Sequence, residues 1–81
     1  MREIQIGKLY KHFKGHLYKV IDIVLDCNTN TLENPDKVVI YQDQNNLELK
    51  WARAYNEFAS EVDHDKYPDV KQKYRFEEVD E

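Results

Sequence analysis

Apolar and polar residues alternate with a period of two along most of this chain. Residues 8–13 (Lys-Leu-Tyr-Lys-His-Phe) and 16–26 (His-Leu-Tyr-Lys-Val-Ile-Asp-Ile-Val-Leu-Asp) carry the alternation on either side of Lys14-Gly15, and together they predict a β-hairpin. A two-residue type I′ turn would force Lys14 to positive φ. A type I turn closed by Gly15 as a G1 bulge leaves positive φ to the glycine alone, and is the turn expected. It sets His12 opposite His16 and Tyr10 opposite Tyr18; a slip of one residue would send those partners to opposite faces.

The run Val20-Ile-Asp-Ile-Val-Leu25 is nearly continuous and β-branched, as in a strand covered on both faces, with Asp22 interrupting it. Cys27 to Asp36 is polar and ends in Asn34-Pro35-Asp36, which is loop chemistry. Val38–Tyr41 predicts a third strand. Asp43–Asn46 predicts a turn into a fourth, in which Leu47, Leu49 and Trp51 alternate with Glu48, Lys50 and Ala52. From Ala52 to Phe58 the period changes. Tyr55 and Phe58, three apart, fit a short helical turn that plugs one end of a sheet. Ala59–Val62 reads as another short strand, Asp63–Asp69 as a surface loop, and Tyr74-Arg75-Phe76 as a return to the sheet edge. The acidic tail, residues 77–81, is expected to fray.

About five short antiparallel strands and one helical turn make a mainly β domain. No segment is long and periodic enough to be a covering helix, so the sheet is expected to close on itself as a small barrel, SH3-like first and OB-like second. With 81 residues, 41% of them hydrophobic and 12% aromatic, the chain suits one core, and residues 1–81 are read as one domain. No stretch approaches the ~20 apolar residues of a membrane span. The N-terminus has no apolar signal region, and the lone Cys27 rules out an internal disulfide. A cytoplasmic protein, monomeric or weakly dimeric, is therefore expected. The net charge is −4, yet residues 1–20 hold Arg2, Lys8, Lys11, Lys14 and Lys19 against Glu3, a local +4 that leaves −8 elsewhere. That balance disfavours general nucleic-acid binding and keeps it open for one face only.

Gly7-Lys-Leu-Tyr10-Lys-His12-Phe13-Lys-Gly15, followed by Tyr18 and Val20, resembles the opening of the bacterial family known as domain of unknown function 1653. Thr31-Leu-Glu33, Val39-Ile-Tyr41, Trp51-Ala-Arg53 with Phe58, and Arg75-Phe76 follow in the family's order, so the likeness covers nearly the whole chain. Two departures stand out. The family usually has proline where this chain has Ala54, and the loop carrying Asn34-Pro35 is longer here. The resemblance implies an SH3-like small barrel and carries no activity with it.

The candidate chemistry is sparse. His12 and His16 face each other at the hairpin, but zinc needs three or four protein ligands and only Cys27 and His64 remain as soft donors; no metal or other cofactor is expected. Cys27 begins a polar loop without a neighbouring oxyanion hole. Ser60 is the only serine, and Gly7 and Gly15 cannot form a phosphate loop. The chain is therefore read as a non-enzyme.

What remains is aromatic and basic. Tyr10, His12, Tyr41, Trp51 and Arg53 fall on neighbouring strands, and Trp51 and Arg53 share a face if the strand runs that far. Such a surface can bind a small anionic or aromatic ligand or a peptide. The structural alternative is that Trp51 continues the Leu47/Leu49 core face and Arg53 caps the barrel through carbonyls. Two rival functions are single-stranded RNA binding through the basic hairpin, with Tyr10, His12 and Tyr18 stacking on bases, and a structural or oligomerisation role through an exposed edge at Val38–Tyr41.

Overall fold

In chain order the elements are β1 (Leu9–His12), β2 (Leu17–Leu25), β3 (Lys37–Asp43), β4 (Lys50–Ala54), α1 (Tyr55–Phe58) and β5 (Phe76–Val79). They come from a computed structural model that describes residues 3–28 and 36–79. Thr31-Leu32-Glu33, Asn34-Pro35, Arg2, Asp80 and Glu81 lie outside the described residues. The strands form one five-stranded sheet in the order β4-β3-β2-β1-β5, and every neighbouring pair is antiparallel.

The first hairpin closes through the glycine bulge. The Gly15 N–H donates to the His12 carbonyl and the His12 N–H to the His16 carbonyl, both at 2.8 Å. Gly15 has φ 101°, and no described non-glycine residue has positive φ. The register follows, with Tyr10 opposite Tyr18.

A second irregularity sets the rest of β2. Strict alternation from Val20 would turn Asp22 into the core. The register shifts between Val20 and Asp22, so Val20 pairs with Tyr41 and Ile23 with Val39. A bulge consumes one residue and flips the facing of those that follow. Ile23 then packs on the core, while Asp22 is exposed and accepts a hydrogen bond from the Ile23 N–H at 2.8 Å.

Three expectations about the strands are corrected. β2 is interior in the sheet but covered on one face only, because Ile21, Val24 and Leu25 remain exposed. β3 is interior too, flanked by β2 and β4, so Val38–Tyr41 offers no free edge; the described edges are β4 and β5. The fourth strand starts at Lys50, not Leu47. Asp43 Oδ1 accepts the N–H groups of Asn45 and Asn46, Asn46 Oδ1 accepts that of Glu48, and Leu47 is left 59% exposed in the turn. Local side-chain capping outcompetes the strand pattern there.

α1 begins only after Ala54, which lets β4 run through Arg53. A four-residue helix has no stability of its own. It is held by Phe58, fully buried, and by the Tyr55 hydroxyl, which accepts the Ile4 N–H at 2.9 Å. The Ala59–Val62 segment makes a single bridge, Glu61 to Tyr74, with the Val62 N–H donating to the Lys73 carbonyl and the Arg75 N–H to that of Ser60. Residues 77–79 of the acidic tail are paired rather than frayed. β5 lies along β1 with Lys11 opposite Glu77 and His12 opposite Phe76. Burial of Phe76 and a cross-strand pair of opposite charges both favour this docking. One face of the sheet, together with α1 and the N-terminal segment, encloses Ile4, Tyr10, Val20, Val39, Tyr41, Phe58 and Phe76.

Candidate functional site

Phe76 organises the aromatic side of the core. Its ring stacks on Phe58 at 4.0 Å between centroids and 8° between planes. Around it, His12, Tyr41 and Tyr18 make edge contacts at 4.9, 5.5 and 5.8 Å, and the Arg53 guanidinium carbon lies 5.7 Å from the ring centre. Each strand of the sheet contributes one of these groups, since Tyr18 is on β2, Tyr41 on β3 and Arg53 on β4. Inward-facing residues of neighbouring strands meet because antiparallel pairing places them side by side.

Arg53 is fixed by its Nε–H, which donates to the Tyr41 hydroxyl at 3.2 Å. It is half-buried, and its bond to a hydroxyl differs from the carbonyl cap that was the structural alternative. Trp51 lies opposite Tyr41 in the register and two residues from Arg53 on the same face. It is 47% exposed, so it is not core. Tyr41 is buried and supports Arg53 from behind. Tyr10 is 2% exposed, its hydroxyl accepting the Gln5 N–H at 2.8 Å and its ring edge-on to Phe58. Of the five candidates, the structure gathers His12, Tyr41 and Arg53 around Phe76, leaves Trp51 exposed opposite Tyr41 in the register, and puts Tyr10 in the interior. Tyr18, which the sequence reading placed only in the RNA alternative, belongs to the same cluster. Its signal was the cross-strand position opposite Tyr10.

His12 is held in one state. Its Nδ1 accepts the Lys14 backbone N–H at 3.1 Å, so the ring's own proton sits on Nε2. Burial, and then the charges of Arg53, Lys14, Arg75 and His16, lower its pKa to about 4. Arg53, Lys14 and Arg75 among them are cationic. Tyr18 is pushed up from the usual phenol value by burial, then by Asp43 and Tyr41, with Arg53 opposing; it stays protonated at neutral pH. Arg75 supplies a buried Nε with no hydrogen-bond partner among the described residues.

The chain matches a family model described as Protein of unknown function (DUF1653) over residues 8–78. It belongs to that family. The match spans the whole sheet of the DUF1653 domain up to Glu78, including every residue of the cluster around Phe76. No curated protein and no solved structure matches the chain.

Other features of the DUF1653 domain adjoin this cluster or lie apart from it. A concavity of about 620 Å³ lies between the β3–β4 ends and α1, where Arg53 joins Asp26, Asp36, Lys37 and Tyr55. Its walls carry both signs of charge, and of the five candidate residues only Arg53 lines it, so the chemistry of the Phe76 cluster is the more specific. Cys27 is exposed beyond β2, and His64 bonds through Nε2 to the Gln72 carbonyl at 3.0 Å, far along the chain from the hairpin. For the basic hairpin, Lys11 faces Glu77 and Tyr10 is buried, which removes two groups from the RNA-binding surface.

Proposed function

We propose that this DUF1653 domain is a non-catalytic binding module built on an SH3-like rolled sheet, gripping a small ligand or peptide with an anionic group. The strand order, with the helical turn inserted between β4 and β5, supports the SH3-like reading. One observation carries the binding reading. Arg53 is aimed by Tyr41 across the Phe76 ring beside an exposed Trp51, and no carboxylate among the described residues pairs with it. A guanidinium held this way is pre-organised for an oxyanion, because ordering it before binding lowers the entropy lost on binding.

The test is native mass spectrometry of protein purified gently from its own cells, with Arg53→Ala alongside. The expected result is an adduct in the wild type that the variant lacks, with a melting temperature lower by no more than about 4–8 °C, the shift for roughly 1 kcal/mol from one lost hydrogen bond. A clean apo mass in both, or a collapse in the melting temperature of the variant, would assign Arg53 to structure instead.

A further inference from the structure

The donors around the Phe76 ring restrict the ligand further than a general anion. Because Arg53 Nε is committed to Tyr41, the two Nη groups remain as a fork. His12 lies against the same ring, and with Nδ1 committed to the Lys14 N–H it presents Nε2–H as a donor and has no acceptor left. The fork alone engages both oxygens of a carboxylate. A third donor from a different strand suits a group with three terminal oxygens.

The local charge agrees. Arg53, Lys14 and Arg75 all act on His12, and among the described residues no carboxylate does, while Glu3, Asp26 and Asp36 stand on the concavity side of Arg53. Among the described residues, the carboxylate that acts on the neighbouring Tyr18 is Asp43, and its Oδ1 is engaged by the Asn45 and Asn46 N–H groups. A dianion gains more from this field than a monoanion. Two residues along β4, about 7 Å from Arg53, the exposed Trp51 offers an indole face for a flat ring.

Resting on the binding-module reading above, we infer that the ligand is a small phosphate monoester carrying a flat ring, with its phosphate between Arg53 and His12 and its ring on Trp51. The monoester phosphate presents three terminal oxygens, one more than the diester of a polynucleotide backbone. That difference separates a free mononucleotide-like ligand from an RNA strand.

The experiment is calorimetric titration of the intact protein with four probes: inorganic phosphate, adenosine 5′-monophosphate, adenosine and benzoate. A short single-stranded oligonucleotide without terminal phosphates is the fifth. Imidazole ¹⁵N shifts of His12 are followed in parallel. The expected order is the nucleoside monophosphate tightest, phosphate weaker, and adenosine, benzoate and the oligonucleotide weaker still, with His12 Nε2 shifting only with the phosphate-bearing probes. Arg53→Lys keeps the charge but loses the fork, and should weaken phosphate about tenfold or more. His12→Asn keeps an acceptor for the Lys14 N–H but removes the ring donor, and should weaken phosphate by a similar factor. Trp51→Ala should weaken the monophosphate and leave inorganic phosphate unchanged. Benzoate binding as well as phosphate in an Arg53-dependent way would overturn the phosphate assignment and leave the binding-module reading standing. A preference for the oligonucleotide would overturn it in favour of RNA. No Arg53-dependent binding of any probe would also overturn it, and the native-mass result then decides the broader reading separately.

Discussion

At the scale of single residues, two positions carry most of the local physics. Gly15 holds φ 101° with open space where a Cβ would stand, so substitution there meets only backbone strain. Gly15→Ala should lose about 1–2 kcal/mol, read as a lower urea midpoint with an unchanged slope. His12 has the opposite character, since its environment disfavours the charged ring. Its pKa is about 4 in the folded protein against 6.5 for a free histidine side chain. Between those values the unfolded chain binds more protons than the native one, so stability falls as pH drops from about 6.5 to about 4 and levels off below. His12→Asn does not titrate, and its side-chain oxygen can accept the Lys14 N–H in the same way. Unfolding curves across that range should therefore show the wild type losing stability relative to the variant. Parallel losses in both proteins would mean that His12 is not the group responsible. The role of Gly15 was readable in the sequence, because only one turn type spares Lys14 a positive φ. The state of His12 was not, because Arg53 and Arg75, which act on it alongside the local Lys14 and His16, lie on β4 and next to β5.

At the scale of elements, the helical turn and the edge strands depend on what they dock against. Phe58 is fully buried between Phe76, Tyr41 and Tyr10. Phe58→Ala should cost about 3–5 kcal/mol, most of the stability expected of a domain of this size. Trp51→Ala removes a larger side chain from an exposed position and should cost about 1 kcal/mol or less. Paired thermal melts separate these two outcomes. On the other edge, Lys11→Glu places like charges opposite each other across β1 and β5, and should destabilise by about 0.2–1 kcal/mol, an effect that added salt diminishes. A salt-independent loss would point to packing rather than charge. The turn at 43–49 and the bulge at Ile21 show where period-two reading goes astray. Leu47 and Leu49 alternate like core residues but are held outside by Asn and Asp caps, and Asp22 sits at a core phase that the bulge moves outward.

At the scale of the whole molecule, the sheet is completed by its most distant pairing. β5 brings Val79 beside Leu9 and delivers Phe76 into the centre of the aromatic cluster. A chain ending after Tyr74 loses that ring and should lack a fixed tertiary structure, read as loss of the near-ultraviolet circular dichroism signal that the intact protein gives. The same pairing sets acidic residues 77 and 78 against the basic first strand, so the two ends with opposite charge meet instead of standing as separate patches. By itself, the sequence determined the strand-rich class, the hairpin turn and its register, the family, and the residue types available for binding. These are local or compositional properties, written in periodicity and in the one glycine that a tight turn requires. Only the tertiary structure decided that Tyr10 is buried while Trp51 is exposed, that Arg53 is held by Tyr41, and that Arg53 and Arg75 act on His12. Each of those facts depends on which face of a strand lies inward and which strand lies beside it. Both are set by bulges and by pairings between residues tens of positions apart, which a period-two pattern does not encode.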